Sequence, residues 1–119
     1  MMLPMPYTMF REDFAGLLDE RFYTIEWLDC QVFNGAIRAM GDERAAILYK
    51  FERYPTGLLE LQGMAAAGDL AVIKDELIPA AEALAKQMGC TSARIESREA
   101  WVRLLPDYQH CQTSIIKEL

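Results

Sequence analysis

The sequence predicts an α+β fold over residues 1–119, a mixed twisted sheet that starts with antiparallel hairpins, passes through a central βαβ unit and ends in a short C-terminal helix plus strand. Two patterns carry this. Residues 36–40 and 45–53 have strand composition and flank Gly41-Asp42-Glu43-Arg44, which suits a hairpin loop. Residues 58–64, an amphipathic helix from Asp69 and a strand around Ala93 and Ile95 then form a βαβ unit, whose strands should be parallel neighbours joined by a right-handed crossover. At 119 residues and 52% hydrophobic, the chain can bury one core without disulfides or metal.

Each element has a local reason. Residues 11–21 carry Phe14, Leu17, Leu18 and Phe22 on one helical face. Residues 23–33 are rich in aromatic and β-branched side chains, with Tyr23, Ile25 and Trp27 alternating against Thr24, Glu26 and Leu28, and are expected to form a strand ending at an Asn34-Gly35 turn. Tyr54-Pro55-Thr56-Gly57 is a second turn. In the strand 58–64, Glu60, Gln62 and Met64 share one face and Leu59 and Leu61 the other. The next helix has Asp69 as N-cap, an apolar face of Leu70, Ile73, Leu77, Ala81, Leu84 and Met88, and a stop at Gly89. Pro79 within it predicts either a kink or a short first helix ending near Glu76. A strand over 90–96, a helix over 98–105 stopped by Pro106 and a strand over 109–117 complete the chain.

Charge narrows the function classes. The net charge is -6, and residues 1–60 carry 6 basic and 10 acidic side chains against 6 and 8 in 61–119, so neither half offers the positive surface that nucleic acid requires. No apolar run approaches the ~20 residues of a membrane-spanning helix. Residues 1–10 have no basic start and contain two prolines, so a secretory signal is not expected and the expected location is cytoplasmic. Cys30, Cys90 and Cys111 lack disulfide or zinc spacing and are expected to be reduced thiols, with no metal site. His110 and Cys111 are adjacent on an expected strand and point to opposite faces, which excludes a thiol–imidazole dyad.

The segment Ala65-Ala66-Ala67-Gly68-Asp69-Leu70, the helix to Met88-Gly89-Cys90, the run Ile95-Glu96-Ser97-Arg98-Glu99-Ala100-Trp101-Val102-Arg103-Leu104-Leu105 and the ending Ser114-Ile115-Ile116-Lys117-Glu118-Leu119 resemble short GNAT-fold proteins of bacteriophages and prophages. The resemblance is strongest over 36–119 and implies the acyl-CoA N-acyltransferase fold, with acetyl-CoA as cofactor and a small amine or protein amine as acceptor. Such enzymes hold the CoA diphosphate on backbone N–H groups where a glycine-rich loop meets a helix start. The resemblance maps that loop onto Met64, Ala65, Ala66, Ala67 and Gly68, which keep one glycine and lack the leading Arg or Gln. Asp69 would cap the same donors with its own carboxylate. The general-acid tyrosine of the family has no counterpart in 101–105, and Tyr108 reads as a packing aromatic. Glu60, on the central strand, is the candidate general base. Two functions follow: an N-acyltransferase, or a non-catalytic GNAT-fold interaction protein binding a host or virion protein, in the host cytoplasm or the virion.

Overall fold

A computed structural model of the chain describes residues 2–96, 104–111 and 115–119. Strands β1 (Arg38–Gly41), β2 (Ala45–Arg53), β3 (Leu59–Gly68) and β4 (Ser92–Ile95) form one sheet in that spatial order. The first three pair antiparallel, and β3 and β4 pair parallel, with Glu60 opposite Ser92 and Gln62 opposite Arg94. The expected hairpin and the expected parallel pairing of the βαβ strands are both present.

A β-bulge divides β3. Tyr49 lies opposite Gly63 and Leu48 opposite Ala65, so Met64 has no partner residue on β2. An inserted residue reverses the inward and outward alternation. Leu61 accordingly packs with Ile47, Tyr49, Ile73, Leu77 and Ala81, whereas Ala65 and Ala67, also odd-numbered, pack on the opposite face with Leu48, Phe14, Leu28 and Val32.

The first face is covered by a helical layer. Asp69 caps α3 (Leu70–Val72), a π-helical turn follows over Ile73–Leu77, and α4 (Ile78–Gln87) completes it. The early helix end expected near Glu76 does not occur: helical residues run on through Pro79 to Gln87. Proline has no N–H and crowds the carbonyl one turn back, and the wider π turn directly before α4 accommodates both defects while the helical path continues.

The other face carries α1 (Arg11–Leu17) and α2 (Ile25–Phe33). Here the sequence expectation is corrected twice. Residues 23–33 are not a strand: the Thr24 side chain accepts the Trp27 N–H at 3.1 Å, which starts a helix that buries Leu28 and Val32 one turn apart against the sheet. Burial at helical spacing overrode the local β propensity. Helix α1 ends at Leu17, with Leu18 extended, and of the expected face Phe14 is buried while Leu17 and Phe22 are exposed.

Two further differences concern the C-terminal half. Strand β3 runs to Gly68, so the stretch mapped onto a phosphate loop is extended strand. The final strand expected over 109–117 is absent at its described positions; Ile115 and Ile116 are exposed, with no neighbouring strand to complete a ladder there. Most of the helix expected over 98–105 falls outside the described residues.

Gly68 closes the strand with φ +101°, and a Cβ placed there would lie 2.5 Å from the Arg44 carbonyl oxygen and 2.6 Å from Ala45 Cα. Both the dihedral and the rigid backbone neighbours require glycine. Gly68→Ala is expected to destabilise the fold by more than ~1 kcal/mol, read as a lower urea midpoint; an unchanged midpoint would show that the β2–β3 end relaxes freely.

Candidate active site

Parallel pairing of β3 with β4 spans only Glu60 to Gly63. Beyond it, Met64 to Gly68 has β2 on one side and, among the described residues, no strand on the other. An apolar cleft of about 50 Å³ opens at this divergence. Leu61, Gly63, Met64, Ala65 and Ala66 line it from β3, Ala93, Arg94 and Ile95 from β4, Ile73, Ile78 and Ala81 from the helical layer, and Tyr108 from beyond the helix expected at 98–105. Pockets that enclose drug-sized ligands measure ~300–1,000 Å³, so the enclosed part of the cleft has room only for a small group, such as the acyl end of a longer molecule.

The sequence-derived binding residues divide here. Met64, Ala65 and Ala66 line the cleft. Ala67 is buried in the core on the α1–α2 face, and Gly68 closes against Arg44 and Ala45.

Glu60 is buried, only 6% exposed, and is not among the cleft-lining residues. It lies four residues before Met64, or ~13 Å at the rise of a strand. Its Oε1 accepts hydrogen bonds from Arg94 Nε at 2.9 Å, Tyr54 OH at 2.9 Å and Gln62 Nε2 at 3.2 Å, and its Oε2 accepts from Ser92 Oγ at 2.8 Å. Strand geometry assembles this group: Glu60 and Gln62 alternate on one face of β3, and Ser92 and Arg94 alternate on the same face of β4 in register with them. Burial by itself would raise the Glu60 pKa, but the bonds from Arg94, Ser92, Gln62 and Tyr54 outweigh it and hold the carboxyl at about 2. The same carboxylate pushes the Tyr54 hydroxyl up, through their hydrogen bond first. Cys90 is pushed up by burial and then by the charge of Glu60.

Arg94 links this cluster to the cleft. It lines the cleft, holds Glu60 and donates from Nη1 to Cys111 Sγ at 3.4 Å. The partners of Glu60 were not singled out in the sequence, although Ser92 and Arg94, spaced by two on a strand paired with Glu60 and Gln62, carried the signal. Tyr108 donates its hydroxyl to Glu82 Oε2 on α4 at 2.7 Å. Burial, followed by that carboxylate, pushes its pKa up.

At the helix start the Asp69 carboxylate accepts the N–H groups of Ala71 at 2.9 Å and Val72 at 3.3 Å, as the capping signal predicted. Among the described residues no group of three or more His, Cys, Asp or Glu side chains could hold a metal ion, and no helix is long and apolar enough to cross a membrane.

No protein-family model matches the chain, and no curated protein matches its sequence. Solved structures do match its fold. A ribosomal-protein-alanine N-acetyltransferase from Brucella melitensis biovar Abortus 2308 is similar at a TM-score of 0.57 and 14% identity, over 92% of this chain and 94% of that one. A Trypanosoma brucei acetyltransferase is similar at 0.64 and 11%, over 94% and 92%. An aminoglycoside acetyltransferase from an uncultured soil metagenomic sample, solved in complex with sisomicin, is similar at 0.65 and 9%, over 95% and 88%. The chain therefore shares the GNAT fold of these acetyltransferases.

Proposed function

Starting from that shared fold, we propose that the protein is an N-acyltransferase that brings an acyl thioester and an amine together where β3 diverges from β4. The single observation that supports this most is the β4-side edge of β3 from Met64 to Gly68, which has no partner strand among the described residues, beside a narrow apolar cleft. A thioester laid along that edge would have its carbonyl polarised by strand N–H groups and its carbon held for the amine nitrogen, so orientation and charge stabilisation supply most of the acceleration. Amide formation joins the neutral amine nitrogen to the acyl carbon and breaks the C–S bond, and the proton lost by nitrogen ends on the departing thiolate, which leaves as a thiol.

Acetyl-CoA is the donor that the resemblance suggests, and the chain suits it at one end only. The cleft accepts a thin thioester arm, whereas the helix start offers its diphosphate donors that Asp69 already occupies. Glu60 is retained as the proposed carboxylate of the site. A pKa of about 2 and the four side chains bonded to it support a role in setting Arg94 at the cleft wall more strongly than direct proton abstraction.

Mass spectrometry of small and protein amines incubated with the protein and acetyl-CoA tests this reading. The expected result is acetylation of at least one amine above the uncatalysed background. A second reading is favoured by the Asp69 cap: a non-catalytic protein of phage or prophage origin that acts in the host cytoplasm or virion by binding a host or virion protein. It replaces the first if no amine is acylated by any of several acyl thioesters.

A further inference from the structure

The amino end of the helical layer shows which acyl donors the cleft can select, on the acyl-transfer reading given above. Four of its backbone donors, the N–H groups of Asp69, Ala71, Val72 and Ile73, are committed to the chain itself. The Asp69 N–H bonds to the Arg44 carbonyl at 3.0 Å, and the Ile73 N–H bonds to the Asp69 carbonyl at 3.1 Å. Between them, the N–H groups of Ala71 and Val72 go to the Asp69 carboxylate. A diphosphate approaching this turn would have to displace a carboxylate and would meet its negative charge.

The side chains around the turn reinforce that exclusion. Arg44, whose carbonyl accepts the Asp69 N–H at the helix start, has its guanidinium shared between two carboxylates, with Nη2 at 2.8 Å from Asp42 and 2.8 Å from Glu76. Lys74 lies beside Asp75 at 4.0 Å. Among the described residues named around this turn, carboxylates (Asp42, Asp69, Asp75, Glu76) thus outnumber cations (Arg44, Lys74), and both cations have acidic neighbours. The cleft a short distance away has the opposite character, with Leu61, Ala66, Ile73 and Ile78 on its walls.

We infer that this site selects an acyl thioester without a nucleotide diphosphate, a donor that ends at a neutral pantetheine-like arm or a shorter thiol. An apolar, narrow cleft recognises the arm, and a helix start capped by its own carboxylate offers a longer donor little. Extending such a donor to full CoA therefore adds charge repulsion without adding a hydrogen-bonded phosphate site.

The test compares acetyl-CoA, S-acetylpantetheine and S-acetyl-N-acetylcysteamine with the intact chain, by donor binding in calorimetry and by kcat/KM with an acylated amine. S-acetylpantetheine is expected to bind and react at least as well as acetyl-CoA. Asp69→Gly, a substitution that helix caps tolerate, is expected to raise the ratio of acetyl-CoA to S-acetylpantetheine efficiency by about tenfold, equivalent to 1.4 kcal/mol. Asp69→Asn keeps a capping oxygen and removes the charge, so it should raise the ratio by a smaller factor. A preference of the unaltered protein for acetyl-CoA of about tenfold or more overturns the inference. If S-acetylpantetheine binds more tightly than acetyl-CoA but no amine is acylated, the donor selectivity stands and the acyl-transfer reading falls. If neither thioester binds, both fall.

Discussion

Glu60→Gln is expected to lower the free energy of unfolding at pH 7 by about 3 kcal/mol, the linkage value of a carboxyl moved from 4.5 to about 2. The substitution keeps the size of the side chain but removes the charge that Arg94, Ser92, Tyr54 and Gln62 converge on, so the partly buried Arg94 guanidinium loses its ion pair with Glu60. Because the folded pKa lies below the ordinary one, this stability is present in full above about 4.5 and is lost as pH falls through about 2. The difference between the unaltered protein and the variant should therefore close over that window in urea titrations. A difference that stays constant from pH 7 to the acid limit would trace the effect to packing. Turnover separates the chemical roles: a folded Glu60→Gln variant that holds Arg94 less firmly should lose less than about tenfold, whereas loss of a general base costs ~10²–10⁴-fold. A loss of the larger size in folded protein would identify Glu60 as the proton acceptor.

Phe14→Ala is expected to cost ~3–5 kcal/mol, the range for truncating a buried phenylalanine. Phe14 is 1% exposed on α1 and stacks on Tyr7, whose ring centroid lies 6.0 Å away. Tyr7 donates to Asp29 Oδ1 at 2.6 Å, and Arg11 grips the same carboxylate with Nη2 at 2.7 Å. Removing the phenyl ring therefore loosens the contacts that join the amino-terminal segment, α1 and α2. Hydrogen exchange should show lost protection first in α1 and α2, with α4 and its core of Leu61, Leu77 and Ala81 affected less. Equal loss in both layers would mean that the sheet transmits the defect and that the two faces unfold as one unit.

The β1–β2 hairpin, the parallel β3–β4 pair and the Asp69 cap were legible because each depends on neighbours in sequence: a loop between two strands, a helix of crossover length, a carboxylate beside its own helix start. The sequence alone also supplied the reason to doubt a diphosphate site, since a cap and the donors it occupies lie within three residues of one another. Tertiary structure decided the rest. Tyr23 to Phe33 has the side chains of a strand, and only the sheet face waiting for Leu28 and Val32 makes it a helix. Local rules forbid a proline inside a helix or predict a kink, and only the path of the whole layer across the sheet shows a π turn absorbing Pro79. The bulge at Met64 comes from the mismatch between two strands, which neither strand displays by itself. Glu60 could be picked out as a central-strand carboxylate, but its basicity is set by Ser92 and Arg94, thirty-two and thirty-four residues away and brought beside it by parallel register. Charges act through distance and burial, and both are fixed only when the chain has folded.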